Sequence, residues 1–384
     1  MTKPFVSLAL LCSAVCGFAS KFPLITAKSA IVMDAETGAV LYGLNEREAR
    51  YPASTTKVMT ALLLIEKCEP SEMIMAPHDV EQIEASSLHL APFERLSAED
   101  MLYALMLRSA NDAAHAVACH IGGNDEGFAK LMNERAAQLG CTDTHFTNPH
   151  GLKDPLHKTS AYDLALITRE AMKHERFRSA AGSKKKWLIR TGNPADQLLV
   201  SKNKFLDEPG AEGVKTGWTI PAGRCFVGSK SVDGWRLIVV VLGSEDWLQD
   251  TKALYDYAFS TFRREKALSK GDRVGDASVT RGSKELVRGV VRQDVTVILG
   301  SSGPPNLQVT WNEVHAPVAA GEIIGRVVVT DPVAGTSAEA DVVAAEAVDV
   351  EVPMTKGALI LAALLGIVIV GALAIVAGRR TRHG

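Results

Sequence analysis

Apolar residues follow several rhythms along this chain, and the rhythm changes from one predicted element to the next. Ala30-Ile31-Val32-Met33, Asp34-Ala35-Glu36-Thr37-Gly38 and Ala39-Val40-Leu41-Tyr42 read as a strand, a tight turn and a strand. Val58 to Ile65 is an unbroken run without Gly or Pro, long enough for a buried helix, and Pro52 and Ser54 before it are helix-start residues. Helical patterning dominates from about Ala98 to Lys173, as in Met101 to Arg108 and Asp112 to His120, interrupted by the turn Asn148-Pro149-His150-Gly151. From Trp187 to Leu242 the runs become short and rich in β-branched residues. Arg190-Thr191-Gly192-Asn193-Pro194 is the expected bend between Trp187-Leu188-Ile189 and Leu198-Leu199-Val200. Asp250 to Arg263 returns to helix. Strands at both ends with helices between them predict one α/β unit, an antiparallel sheet covered by helices, over residues 20–263.

After Arg264 Val, Thr and Gly rise and aromatic residues nearly vanish. Short alternating runs at Val295 to Ile298, Gln308 to Trp311 and Gly325 to Val329 predict a small all-β domain over residues 264–352. It holds no cluster suited to chemistry and reads as a spacer or docking module. Lys3, the apolar stretch Phe5 to Phe18 and the small residues near Ala19 predict a signal peptide over 1–19. Cys12 and Cys16 follow Leu11 and Val15, which are the wrong neighbours for lipidation. Gly357 to Ala377 carries no charge and is long enough to cross a bilayer, with Arg379, Arg380 and Arg382 directly after it. The expectation is one C-terminal transmembrane helix at 357–377, a cytoplasmic tail at 378–384, and the body on the outer face of the cytoplasmic membrane.

The formal net charge of −2 offers no case for nucleic acid. Lys184-Lys185-Lys186 is read as a solvated face. Cys68, Cys119, Cys141 and Cys225 are irregularly spaced and match no metal site. Apolar neighbours predict free thiols there, with Cys119 and Cys225 buried. No cofactor and no metal are expected, and the oligomeric state is left open.

The candidate chemistry lies in three short boxes in order: Ser54-Thr55-Thr56-Lys57, Ser109-Ala110-Asn111 and Lys215-Thr216-Gly217. Each is weak alone, because the chain repeats them. Ser-x-x-Lys recurs at Ser183/Lys186 and Ser201/Lys204, Ser-x-Asn at Ser201/Asn203, and Arg190-Thr191-Gly192 nearly repeats the third box. Context separates them, since only Ser54 leads into a buried helix, where Lys57 lies on the same face one turn on. Taken singly, Ser54 is a helix cap, Asn111 a turn residue and Lys215 an exposed strand lysine. Joint occurrence favours catalysis.

On that reading Ser54 is the nucleophile and Lys57 its general base, provided burial and a nearby Lys215 keep Lys57 neutral. Ser109 relays the proton to a leaving amine, and Asn111 holds the substrate amide. Lys215 and Thr216 bind a carboxylate, Gly217 makes room along the strand, and the backbone N–H groups of Ser54 and Trp218 face the oxyanion. Thr219 completes the substrate-binding stretch. His115, His150 and His157 are read as structural or surface residues.

These boxes, with Val32 to Gly38, Gly213 to Thr219 followed by Ala222-Gly223, Asn148 to Leu152 and Thr159 to Leu164, resemble the low-molecular-mass penicillin-binding proteins, the serine-type D-alanyl-D-alanine carboxypeptidase family. The resemblance covers roughly Lys28 to Arg263. It implies a β-lactamase/transpeptidase-like fold, removal of the terminal D-alanine from the peptidoglycan pentapeptide stem through a Ser54 acyl-enzyme, and β-lactams as acylating inhibitors. Two positions depart from the family pattern: Ala110 stands where Gly is usual, and Lys204 is the nearest match to an arginine that often precedes Lys-Thr-Gly. A class A β-lactamase would need a deacylating glutamate, and Glu134, Glu170 and Glu175 lack the context. A DD-endopeptidase and a catalytically silent wall-binding protein are the other readings.

Overall fold

The computed structural model describes residues 22–190, 197–300, 303–332, 334–351 and 367–369. The chain divides into two compact units, Met1–Arg263 and Arg264–Gly384. The first unit opens with β1 (Ser29–Asp34) and β2 (Val40–Leu44), then a 3-10 turn at Ala53–Thr56 that runs into α1 (Lys57–Lys67). A small hairpin of β3 (Met73–Met75) and β4 (Arg95–Ser97) precedes α2 (Ala98–Tyr103), α3 (Asn111–Gly122), α4 (Asp125–Gln138), α5 (Ala161–Ala171) and α6 (Glu175–Gly182). A second hairpin, β5 (Lys185–Trp187) with β6 (Leu198–Val200), leads to β7 (Ala211–Thr219), β8 (Gly223–Val232), β9 (Trp235–Ser244) and α7 (Trp247–Thr261).

Five strands form one antiparallel sheet in the order β2-β1-β9-β8-β7, which leaves β7 at an edge. β9 is apolar on consecutive residues because the sheet is covered on both sides. Ile238, Val240 and Leu242 join the core built by α1, α3 and α5. Leu237, Val239 and Val241 alternate with them and are also buried, and α7 packs on the same strand. On α7 Tyr255 stacks on Phe205, whose ring meets Phe226 edge-on. α1 is buried from Lys57 to Leu64, as its mainly apolar run from Val58 to Ile65 leads one to expect.

Several boundaries differ from the sequence expectation. The segment expected as one helix from Met101 to Arg108 is α-helical only to Tyr103, then widens into a π-helical turn at Ala104–Arg108. Ser54 caps nothing: it lies inside the 3-10 turn, and α1 starts at Lys57. The last helix runs over Trp247–Thr261, and Arg263 already begins a strand. In the run of three lysines, Lys184 pairs with Asp207 and Lys186 lies 4.6 Å from the Tyr103 ring centroid, so this face is only partly solvated. β6 is where the sequence suggests, but its partner β5 is Lys185–Trp187 and not Trp187–Ile189, with pairing from Lys185↔Val200 to Trp187↔Leu198, while the bend at 191–196 lies outside the described residues. So do the expected signal peptide and the 357–377 span, apart from 367–369. Among the described residues no helix is long and apolar enough to cross a membrane.

Among the described residues up to 351 the second unit is built from strands: β10 (Arg263–Leu268), β11 (Arg273–Thr280), β12 (Leu286–Val291), β13 (Val295–Leu299), β14 (Asn306–Trp311), β15 (Val314–His315), β16 (Ile323–Asp331) and β17 (Thr336–Ala344). Six of them form a sheet in the order β14-β16-β17-β12-β11-β15, over a core of valines that includes Val287, Val291, Val327 and Val342. The Trp311 indole lies in a slot floored by glycine. A Cβ on Gly289 would come within 2.5 Å of it, and one on Gly275 within 2.9 Å.

Asp34 closes the β1–β2 turn and ties it to β9. Its Oδ1 accepts from the Thr37 amide and hydroxyl, both at 2.6 Å, and its Oδ2 accepts from Trp235 Nε1 at 2.8 Å. Asp34→Ala strands a buried indole N–H, so calorimetry is expected to show a destabilisation of about 1–3 kcal/mol. An unchanged transition would show that the turn does not depend on this carboxylate.

Candidate active site

Ser54 sits on a turn that is held from below. Ala53 adopts a left-handed φ of +49°, which turns Ser54 outward at the start of the 3-10 turn. Thr55 Oγ1 donates to the Pro52 carbonyl at 2.7 Å and Thr56 Oγ1 to the Ala53 carbonyl at 2.9 Å. Gly151 backs directly onto this turn at φ +85°, where a Cβ would stand 1.9 Å from the Ala53 oxygen. His157 completes the support. Its Nδ1 accepts from the Thr147 amide, so the neutral ring carries its proton on Nε2 and donates to Thr56 Oγ1 at 2.9 Å. Burial lowers its pKa to about 4, which keeps that tautomer uncharged.

Lys57 is fully buried, and its Nζ has three neighbours: Asn111 Oδ1 at 2.7 Å, the His150 carbonyl at 2.8 Å and Ser54 Oγ at 3.2 Å. Burial and then Lys215 hold its pKa well below the usual lysine value. A neutral amine has two N–H bonds and one lone pair. The two oxygens of Asn111 and His150 can only accept, so they take the N–H bonds and the lone pair is left for the Ser54 hydroxyl proton. In its uncharged form the amine thus turns its lone pair toward Ser54 Oγ.

The second box follows the π-helical turn. Ser109 takes the left-handed conformation at φ +61° and turns the chain into α3. Ala110 has φ −64°, a value at which its Cβ costs nothing relative to Gly. Asn111 differs from its expected role as a holder of substrate amide. Both Nδ2 hydrogens are committed, to the carbonyls of Glu84 and Ala85 at 2.8 Å each, and Oδ1 is committed to Lys57. It therefore orients Lys57 and straps the 84–90 loop. Asp112 straps the same loop by accepting from the amides of Leu88 and Leu90 and from Ser87 Oγ.

The third box lies on edge strand β7. Gly217 lets the strand approach Ser54, since a Cβ there would stand 3.0 Å from the Ser54 amide nitrogen. Lys215 is buried, and its Nζ donates to the Thr216 carbonyl at 2.9 Å. Burial, then Lys202, lowers its pKa to about 7. Ser54, Ser109, Thr216, Gly217 and Trp218 line one cavity of about 630 Å³, with Lys202, Lys204 and Arg224 on its wall. Thr219 is not among the lining residues; its Oγ1 accepts from the Ala222 amide at the β7–β8 turn.

The repeated motifs resolve differently. Ser183 Oγ donates to the Ser179 carbonyl at the end of α6, and Ser201 Oγ accepts from the Asn203 amide. Arg190, in the near-copy of the third box, clamps Glu94 with two bonds of 2.9 Å. Glu170 is engaged by Arg135 and Lys173, and among the described residues no glutamate lines the Ser54 cavity. The reading of three structural histidines understated two of them, for His150 positions Lys57 and His157 positions the Ser54 turn. His115 sits between Asp125 and Asp79, and Asp125, then Cys119, raises its pKa to about 11. The Cys68, Cys119, Cys141 and Cys225 thiols are free, and Cys119 is half-buried rather than buried. Lys202 and the 84–90 loop had no signal in sequence, because nothing local marks a residue that acts across a fold.

A family profile for D-alanyl-D-alanine carboxypeptidase matches residues 17–246, and one for the C-terminal domain of penicillin-binding protein 5 matches residues 262–350. The chain is 32% identical to D-alanyl-D-alanine carboxypeptidase DacF of Bacillus subtilis, over 79% of this chain and 81% of that one. Its structure resembles penicillin-binding protein 5 from Haemophilus influenzae, with 28% identity and a TM-score of 0.72, over 85% and 98% of the two chains. It also resembles D-alanyl-D-alanine carboxypeptidase from Mycobacterium tuberculosis, with 32% identity and a TM-score of 0.59, over 62% and 93%.

Gly151→Ala forces the Ser54 turn to shift. The acylation rate of Ser54 is expected to fall on the order of 10²-fold, the cost of roughly 1 Å of misplacement. An unchanged rate in this variant would show that the turn is set from elsewhere.

Proposed function

Because the chain belongs to the D-alanyl-D-alanine carboxypeptidase family, we propose that the residues around Ser54 remove the terminal D-alanine from peptidoglycan pentapeptide stems. The enzyme is a serine-type D-alanyl-D-alanine carboxypeptidase, and the observation that carries its mechanism is the three-way coordination of Lys57 Nζ. Lys57 takes the Ser54 proton as Oγ attacks the carbonyl of the penultimate residue. The amides of Ser54 and Trp218 receive the developing oxyanion. As the C–N bond breaks, the proton passes from Lys57 through Ser109 to the leaving D-alanine amine. Water then attacks the acyl-enzyme, Lys57 takes its proton, and Ser54 departs with a proton restored. Lys215 and the Thr216 hydroxyl hold the substrate's terminal carboxylate, aided by the positive charge of Lys202, Lys204 and Arg224 on the cavity wall. The stem lies along the free edge of β7. β-Lactams acylate the same serine.

The charge pattern at both ends supports an exported protein anchored in the cytoplasmic membrane by residues 357–377, with its catalytic body outside. The β unit then serves as spacer or docking module.

The full chain is expected to release D-alanine from a peptide ending in D-Ala-D-Ala, and Ser54→Ala to release none. A folded wild type that releases none would overturn the carboxypeptidase assignment. The pH profile carries a second test. Lys57 works as the neutral amine, so activity rises as pH passes its lowered pKa. Lys215 binds as the cation, so kcat/KM falls as pH rises through about 7. Lys215→Arg keeps the charge and is expected to remove this alkaline limb; a limb that persists assigns it to another group.

A further inference from the structure

Behind the catalytic lysine, α3 and α4 bring together three side chains that the carboxypeptidase reaction does not use. His115 and Cys119 stand one turn apart on α3, and Asp125 is the first residue of α4. His115 Nδ1 is 2.7 Å from Asp125 Oδ1; Cys119 Sγ lies 3.9 Å from that Nδ1 and 3.7 Å from Nε2, and one donor atom from each of the three residues lies within 4.8 Å of the others. We propose that His115 Nδ1, Cys119 Sγ and Asp125 Oδ1 form a binding site for a divalent transition-metal ion, zinc by its donor set, with water as the fourth ligand.

The donor chemistry selects the ion. One imidazole, one thiolate and one carboxylate suit a cation of borderline softness and do not suit calcium or magnesium, which take oxygen. Zn–N, Zn–S and Zn–O bonds in a tetrahedron place neighbouring donors about 3.4–3.6 Å apart. The thiol must therefore move in and the carboxylate out by a few tenths of an ångström. Both side chains are only partly buried, and rotation about their own torsions covers that range. The Asp125 side chain is 29% exposed and gives an ion a path from solvent.

The surroundings fit ligand roles as well. With Nδ1 on the metal, His115 carries its proton on Nε2, which points at Asp79 Oδ1 3.3 Å away. The second oxygen of Asp125 faces His150 Nε2 at 3.8 Å. His150 Nδ1 accepts from the Leu152 amide, so this Nε2 carries the proton and is the correct partner for a ligating carboxylate. The same His150 holds Lys57 through its carbonyl, so an ion here lies one residue behind the general base. A second trio, Cys68, Glu72 and His120, is the internal control: Glu72 and His120 are exposed, and Cys68 is buried at the end of α1.

The test is a cobalt(II) titration of the metal-free full chain. The expected result is a thiolate-to-cobalt charge-transfer band with the strong visible bands of a four-coordinate ion, displaced by zinc. These bands should vanish in Cys119→Ser, weaken in Asp125→Asn and persist in Cys68→Ser. On wild-type protein, zinc should also protect Cys119 from iodoacetamide, read by mass spectrometry, which needs no variant to fold. The absence of a thiolate band, its survival in Cys119→Ser, its loss in Cys68→Ser alone, or unprotected Cys119 would each reduce the cluster to a closed ion pair and overturn the site.

Discussion

Lys57 Nζ is enclosed by protein, and its two carbonyl-type neighbours can only accept. Burial favours the uncharged amine, and the acceptors dictate which way its lone pair points. Everything else in the site serves that arrangement. Asn111 must present Oδ1, so its Nδ2 is pinned by Glu84 and Ala85. The His150 carbonyl must stay in place, so the Asn148 side chain fixes the turn through the Gly151 amide at 2.7 Å. Ser54 must stay within reach, so its turn is wedged between Gly151 and His157.

The sheet supplies the other half of the site. β9, β8 and β7 succeed one another as antiparallel neighbours, so the buried centre of the sheet ends in an edge strand that carries Lys215, Thr216 and Gly217. An edge strand keeps unpaired backbone groups, and here they border the cavity over Ser54. The two buried lysines stand on different supports, α1 and β7, and each is desolvated. Desolvation lowers the pKa of both, that of Lys57 further through Lys215 and that of Lys215 further through Lys202.

The repeated motifs show how little a short motif means by itself. Three Ser-x-x-Lys segments share the same spacing, yet Ser183 ends a helix and Ser201 shapes a turn. Only at Ser54 does the lysine enter a helix that is buried from Lys57 to Leu64, and that difference was visible in the apolar run Val58 to Ile65. Arg190 shows the reverse case, for its clamp on Glu94 depends on a residue nearly a hundred positions earlier.

Local pattern determined the elements and the boxes. Runs of apolar residues bounded by Gly and Asp placed the hairpin of β1 and β2, helix α1 and the strands β8 and β9, because burial and turn chemistry are properties of neighbours in sequence. The order of the three boxes pointed to acyl-serine chemistry for the same reason. Tertiary structure decided what depends on distance through space: the lowered pKa of Lys57, the commitment of the Asn111 amide, the service of His150 and His157, and the influence of Lys202 on Lys215. It also decided that α2 would widen into a π turn and leave Ser109 in a left-handed conformation, since that strain is sustained only by packing around it. A hydrogen bond between residues 57 and 150 has no trace in either segment, because each is an ordinary polar group until the fold removes the water between them.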